Sequence, residues 1–325
     1  ADAIAEFWLL LELEPRMTEV VQARIARAYQ ALGDPVGAAT AYRRAADTVV
    51  LQADDDGNLP VDEVIALVLL LEALAQTYNS SGRYDDAVAV YDEILAVAVQ
   101  PRYRADIQHR AGQALAAAGN VPAAAERWLA ATNEAPDSSY AYSALIELVN
   151  RDVAFDLYQR GYIDLEASAW TPAISAYESY LETASPTDER YADALVGIGQ
   201  AYVGAEDDDS ALDYFQRVIT EYPDCGCIGD AWLGKAQVEV EFNDPVAARR
   251  TLRTFAREHP EQPLAAEALW RSAFLALDGG YDVESGFDFL TLADAFPQSE
   301  RAPASLYIVA LGAFRQGLET QAVST

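Results

Sequence analysis

A small residue recurs along the chain at Ala3, Ala38, Ala87, Ala124, Ala173, Ala211, Ala248, Ser285 and Ala322, with spacings of 35, 49, 37, 49, 38, 37, 37 and 37 residues. One repeat unit of about 37 residues, interrupted by two insertions of about a dozen, accounts for the series. Four residues after the first eight of these positions comes a bulky side chain: Phe7, Tyr42, Tyr91, Trp128, Tyr177, Phe215, Leu252 and Phe289. Residues at i and i+4 share one face of a helix, so the small residue lets a neighbouring helix approach while the large one fills the space beside it. A chain built this way buries its apolar faces only by stacking one unit on the next.

The punctuation between these positions divides each unit into two helices. Pro15, Pro136, Pro223, Pro260 and Pro297 follow the small and bulky pair at a common offset, where proline cannot continue a helix and forces a turn. Gly33, Gly82, Gly119 and Gly280 precede the small residue and mark the turn between the helices of a pair. The first helix of the pair shows a small residue with an aromatic three positions later, as in Ala26 with Tyr29, Ala75 with Tyr78 and Gly199 with Tyr202.

This order of small, aromatic, glycine, alanine, aromatic and proline positions resembles the tetratricopeptide repeat over nearly the whole chain. The resemblance implies an all-α fold: a right-handed superhelix (α-solenoid) of about eight tetratricopeptide-like helix hairpins with two insertions. The unit is nearer 37 than the 34 residues usual for that repeat, which lengthens a helix or a loop. The insertions divide the chain into an N-terminal lobe over residues 1–136 that starts mid-repeat, an inserted helix or linker over 137–153, and a C-terminal lobe over 154–325 that ends mid-repeat. Neither end shows a polar capping repeat, so the natural protein is expected to continue, most simply beyond Thr325. The first insertion, Gln52 to Glu63, is polar and reads as a loop. It fails as a calcium loop because Leu59 stands where glycine is needed and Ile65 where a bidentate glutamate is needed.

Composition narrows the partners. Fifty-two acidic residues stand against twenty-two basic ones, twenty-one Arg and the single Lys235, for a net charge of -30. Nucleic acid and anionic membrane are therefore disfavoured as partners. The longest apolar run, Val64 to Leu71, is far short of a membrane span. No nucleophile elbow or phosphate-binding glycine loop occurs, and the two histidines, His109 and His259, fall in separate repeats. Acidic runs such as Glu206 to Asp209 lie in turns, where carboxylates are hydrated and lack the apolar pocket that general-acid chemistry requires. Cys225 and Cys227 cannot complete a four-ligand zinc site alone and read as two loop thiols or a local disulfide. No catalytic residue, metal or cofactor is expected in this chain.

Binding is the better expectation. In tetratricopeptide superhelices the first helix of each pair lines the concave side, so one position repeated along the chain becomes a ladder in the groove. The residue after the small one is Gln76, Gln113, Gln200 and Gln237 in four repeats, and Arg27 and Tyr162 in two others. Amides both donate and accept, which suits an extended peptide or a glycan. The competing reading is that glutamine is simply a good helix former on a half-exposed face. Trp270, Phe274, Tyr307 and Phe314 are expected to form an aromatic end to the groove, or to pack on a further domain.

The segment from about Ser138 onward is similar to a narrower family. Ser139-Tyr140-Ala141-Tyr142-Ser143-Ala144-Leu145, Gln159-Arg160-Gly161, Ala268-Leu269-Trp270-Arg271-Ser272-Ala273 and Ala295-Phe296-Pro297-Gln298-Ser299 resemble the helical arm that precedes the catalytic domain of soluble lytic transglycosylases. That resemblance implies an extracytoplasmic, cell-envelope location, peptidoglycan glycan strands as the bound polymer, and a lysozyme-like domain after Thr325. The family's Glu-Ser and Gly-Leu-Met-Gln motifs are not both present: Glu178-Ser179 and Glu284-Ser285 lie in repeat helices, and Met17 is the only methionine. The alternative is a free-standing adaptor, cytoplasmic in that case, whose groove binds the extended tail or helix of a partner protein. A third reading, an oligomeric scaffold, predicts a large apolar patch on the outer side.

Overall fold

The computed structural model describes residues 2–54 and 58–315. Among these residues there are seventeen α-helices and no strand. The chain divides into two compact units, Ala1–Phe155 and Asp156–Thr325. Unit one holds α1 (Asp2–Leu13), a short 3-10 turn at Pro15–Met17, α2 (Thr18–Ala31), α3 (Pro35–Val50), α4 (Val61–Ser80), α5 (Tyr84–Val97), α6 (Pro101–Ala117), α7 (Val121–Glu134) and α8 (Ser139–Val149). Unit two holds α9 (Leu157–Glu166), α10 (Trp170–Thr183), α11 (Tyr191–Gly204), α12 (Asp208–Glu221), α13 (Ile228–Glu241), α14 (Pro245–Glu258), α15 (Ala265–Asp278), α16 (Asp282–Ala295) and α17 (Ala302–Arg315). Within each unit every helix packs against the next in sequence.

The repeat length now has a structural account. From α11 onward a repeat is two fourteen-residue helices, a three-residue turn between them and a six-residue connection to the next pair. The extra length thus lies in the connections, each opened by a proline two residues past the last helical position, as at Pro223, Pro260 and Pro297. Of the two insertions, the first is shared between a longer α3, a loop and a twenty-residue α4. The polar loop expected over Gln52 to Glu63 therefore ends earlier, because Val61 to Glu63 already form the first turn of α4. Asp55, Asp56 and Gly57 of that loop, and Ala322, lie outside the described residues. The second insertion forms α8, whose Ala141, Ala144, Leu145 and Leu148 are buried against α6 and α7.

The tight turn inside a pair is one geometry used seven times among the described residues, and the same left-handed residue closes α8 at Asp152. Gly33, Gly82, Gly119 and Gly280 have φ of 73°, 75°, 85° and 75°, and the non-glycine residues Asp152, Ser168, Glu206 and Asn243 have φ of 55°, 59°, 61° and 58°. Each is the left-handed residue that closes a helix. The residue after Glu206, Asp207, donates its N–H to the Tyr202 carbonyl at 2.9 Å, as Asp34 does to Tyr29 at 2.9 Å. Asp207 then caps α12 by accepting from the Ser210 N–H at 3.2 Å, and Asp34 caps α3 from the Gly37 N–H at 2.9 Å. Glutamate has a Cβ that the left-handed region disfavours by roughly 1–2 kcal/mol, against an entropic cost of glycine of about 0.5–1 kcal/mol. Glu206→Gly is therefore expected to stabilise unit two by about 0.5–1 kcal/mol, read as a higher urea midpoint; a lower midpoint would show that the Glu206 side chain is needed.

The small and bulky pairs behave as their spacing predicts. Ala38, Ala87, Ala124, Ala173, Ala211, Ala248 and Ser285 are all buried, as are Tyr42, Tyr91, Trp128, Tyr177, Phe215, Leu252 and Phe289. Ala3, on α1, is exposed. The bulky residue packs onto glycine on two first helices. A Cβ added at Gly161 or at Gly197 would lie 2.6 Å from the Tyr177 ring, and one added at Gly199 or Gly234 would lie 2.7 or 2.4 Å from Phe215. Tyr177 and Phe215 each thus key their own first helix to that of the following pair.

Candidate functional site

On α4 and α6 the residue after the buried small one turns away from the second helix, because it is rotated about 100° around the helix axis. Gln76, after Ala75, and Gln113, after Gly112, are both exposed, and both line one cavity of about 650 Å³ between α4 and α6. Arg110, Glu72, Asn79 and Tyr91 complete its polar lining. Arg110 is held as a fork on buried Asp106, with Nε to Oδ1 at 2.8 Å and a terminal nitrogen to Oδ2 at 2.5 Å, and it lies 3.6 Å from Glu72. Burial pushes the Asp106 carboxyl above the ordinary carboxylate range, and the Arg110 guanidinium offsets part of that. The Tyr103 hydroxyl donates to Glu72 Oε1 at 2.9 Å, and burial followed by this carboxylate raises its pKa well above the ordinary tyrosine value.

Two successive repeats anchor the first helix to the second by the same bond. The Asn79 amide donates to the Tyr91 hydroxyl at 2.8 Å, and one repeat earlier the Tyr42 hydroxyl donates to Gln30 Oε1 at 2.9 Å, with Gln30 in turn donating to Thr77 Oγ1 at 3.0 Å. These bonds fix the backs of α2 and α4, while exposed Arg27 also reaches the Tyr42 hydroxyl and Gln76 is exposed on the outer face of α4.

In unit two the corresponding face is more apolar. Gln237 and Phe274 line a cavity of about 360 Å³ between α13 and α15, with Leu233, Val240, Leu275 and Arg271. Gln237 donates to Glu241 Oε1 at 3.1 Å. Gln200 is exposed on α11, and Tyr162 is half-buried on α9 beside the Tyr177 cluster. Trp270 and Phe274 lie 4.9 Å apart and pack edge-on against Phe289 at 5.5 and 5.4 Å. Trp270 faces a different recess, where Arg301 lies 4.9 Å over its ring and also pairs with Glu267. Tyr307 and Phe314 are exposed on α17, at 69% and 61%.

Of the residues singled out from sequence, the structure brings Gln76 together with Gln113, Gln237 together with Phe274, and Phe274 together with Trp270. Arg110, Glu72, Leu233 and Val240 were missed. Their signal was present, since Arg110 and Glu72 lie three and four residues before Gln113 and Gln76, one helical turn back on the same face.

The chemistry expected to be missing can be stated only of the described residues. No group of three or more His, Cys, Asp or Glu among them is placed to hold a metal ion. Cys225 and Cys227 are free thiols, the first half-buried and the second buried at the start of α13. A hydrogen bond between the two thiols lowers the pKa of Cys225 and, with burial, raises that of Cys227. His109 is held below the usual imidazole range by burial, and His259 packs on Phe255 at 5.6 Å. No helix among the described residues is long and apolar enough to cross a membrane.

Residues 193–224 and residues 70–105 each match a family model described as a tetratricopeptide repeat. Those two segments are of the tetratricopeptide type. The match over residues 193–224 takes in α11 and α12 with the turn at Glu206, and that over residues 70–105 takes in most of α4 and all of α5. No curated protein sequence matches the chain. Among solved structures it is similar to a tetratricopeptide repeat protein from Parabacteroides merdae, at 15% identity and a TM-score of 0.36 over 90% of this chain and 98% of that one. It is also similar to the TPR2AB domain of yeast Sti1 in its pHSP90 complex, at 16% identity and a TM-score of 0.31 over 79% and 98% of the two chains. The apo form of RapI is similar at 11% identity and a TM-score of 0.42 over 94% and 84%.

Proposed function

We propose that this tetratricopeptide chain is a non-catalytic scaffold that binds an extended polypeptide segment of a partner protein along the first-helix face of its units. The observation that carries the reading is that Gln76 and Gln113, one repeat apart, line one cavity with the fixed guanidinium of Arg110 between them in sequence. Side-chain amides satisfy both the N–H and the C=O of an extended backbone, and a guanidinium locked on Asp106 presents its remaining N–H groups at no further ordering cost. The α13–α15 cavity offers a socket of about 360 Å³ with an apolar wall of Leu233, Val240 and Phe274 and a charged edge of Glu241, Arg271 and Asp278. The probe is a phage-displayed library of random peptides selected on the full chain. Recovered peptides are expected to bind about tenfold more weakly to Gln76→Ala with Gln113→Ala. Selection of no peptide, or equal binding by the double variant, would remove the reading.

The finer assignment is the superhelical arm of a bacterial cell-envelope lytic transglycosylase, with the catalytic domain after Thr325. It rests on the four motifs between Ser139 and Ser299 and carries with it an extracytoplasmic location and a glycan strand as ligand. Its test is retention of purified peptidoglycan glycan strands by the chain and loss of retention in Gln200→Ala with Gln237→Ala. The same incubation is expected to release no anhydro-sugar product; its release would place catalysis in this chain.

A further inference from the structure

The second-helix face of unit two runs against the charge of the whole chain. Arg249, Arg250, Arg253 and Arg257, four of twenty-one arginines in a chain of net charge -30, all lie on α14. All four line a cavity of about 640 Å³ between α14 and α16, opposite Phe287 and Thr291. The one acidic residue in that lining is Asp288, which is fully buried at the floor. It accepts from the Ser272 hydroxyl at 2.7 Å, from Arg249 at 3.4 Å and lies 3.2 Å from Arg253 Nε. Asp288 thus serves as the internal counter-ion of Arg249, whose side chain is only 12% exposed. Arg253 also lies 5.5 Å over the ring of Phe287, itself 58% exposed. Arg257 pairs with its neighbour Glu258 at 2.9 Å, but both are largely solvent-exposed, where such a pair contributes little. Arg250 forms no ion pair among the described residues.

Four guanidinium groups against one buried carboxylate leave a surplus of positive charge at the cavity mouth, beside an exposed aromatic ring. Like charges a turn apart on one helix repel, so the positive charge left over after Asp288 and Glu258 is eased by an anionic ligand. The geometry points to a docking groove for a short acidic peptide segment of a partner protein, its carboxylates forked by Arg250, Arg253 and Arg257 and one apolar side chain lying against Phe287. Guanidinium suits this task because its planar donors match a carboxylate two at a time. A long polyanion such as nucleic acid, or an anionic membrane, would extend past the groove onto an acidic surface. A short peptide need not extend beyond roughly one Debye length, about 8 Å at physiological salt. The groove belongs to the second helices, so it stands or falls separately from the first-helix face.

The test is fluorescence anisotropy of the full chain with a short labelled peptide that alternates Glu with Phe and Leu. Saturable binding that weakens with added salt is expected, reduced about tenfold or more in Arg250→Glu with Arg257→Glu and unchanged in Gln76→Ala with Gln113→Ala. Both arginines are exposed, and an unchanged circular-dichroism melt confirms that the variant is folded. The proposal is overturned by absence of binding, by equal affinity of the variant, or by equal affinity for the same peptide with Lys in place of Glu. It is overturned as well if an oligo-dT strand displaces the peptide at lower concentration than unlabelled peptide does. Sedimentation in which the wild-type chain is a dimer and the arginine variant a monomer would assign the groove to a second copy and equally reject the peptide.

Discussion

Replacing Phe215 by alanine is expected to destabilise unit two by about 3–5 kcal/mol, because the ring is fully buried and its removal leaves a cavity in the core. The ring presses on two helices at once, α11 at Gly199 and α13 at Gly234, where a Cβ would lie 2.7 and 2.4 Å from it. Gly234→Ala alone is therefore expected to cost about 1–3 kcal/mol through overpacking. Phe215→Leu combined with Gly234→Ala is expected to cost less than the sum of the two single changes, since the smaller side chain makes room for the methyl. Denaturant unfolding of the four proteins supplies the cycle. Strict additivity would mean that ring and glycine do not meet. Because each pair is stabilised by its neighbours, hydrogen-exchange protection is expected to fall first across α11 to α13 and least in unit one.

Asp288→Ala is the second large effect, about 3–5 kcal/mol, for a different reason. The carboxylate is fully buried, and its removal leaves the nearly buried Arg249 guanidinium and the Ser272 hydroxyl without their acceptor. Arg253 suffers less, since its half-exposed side chain can turn to water. Removing both charges together, in Arg249→Met with Asp288→Leu, is expected to recover most of the loss, because the burial of an unpaired charge is what costs. Equal destabilisation by the single and double changes would show instead that the Ser272 and Arg253 contacts dominate. The measurement is the urea midpoint of each variant at neutral pH.

Much of this architecture was legible in residue spacing. The alanine series located second helices from α3 to α16, the prolines located the connections after α7, α12, α14 and α16, and four glycines located four turns. The turns at Ser168 and Asn243, and the one that closes α8 at Asp152, were hidden because these residues occupy the left-handed position without the residue that advertises it, and the turn at Glu206 was marked only by its acidic run, of which Asp208 and Asp209 already belong to α12. In a helical stack the surrounding hydrogen bonds impose that conformation, and a polar residue at a solvent-facing turn tolerates it. The candidate site was legible by position but not by content. Gln76 and Gln113 followed from a repeated offset, whereas Arg110 entered the same cavity through its fork on Asp106, a pairing that an i, i+4 spacing permits but does not require.

The sequence by itself determined that the chain is helical, paired and stacked, since a small and a bulky residue meeting once per pair at a fixed period have no other compact arrangement. Tertiary structure decided which carboxylate is buried and which helices share a ring. Tyr177 touches Gly197 of the next pair, and Asp288 of α16 meets Arg249 of α14 and Ser272 of α15, because the second helix of one pair meets both helices of the next there. Periodicity fixes the direction a side chain takes from its own helix, while the partner it finds depends on how neighbouring pairs are set against one another.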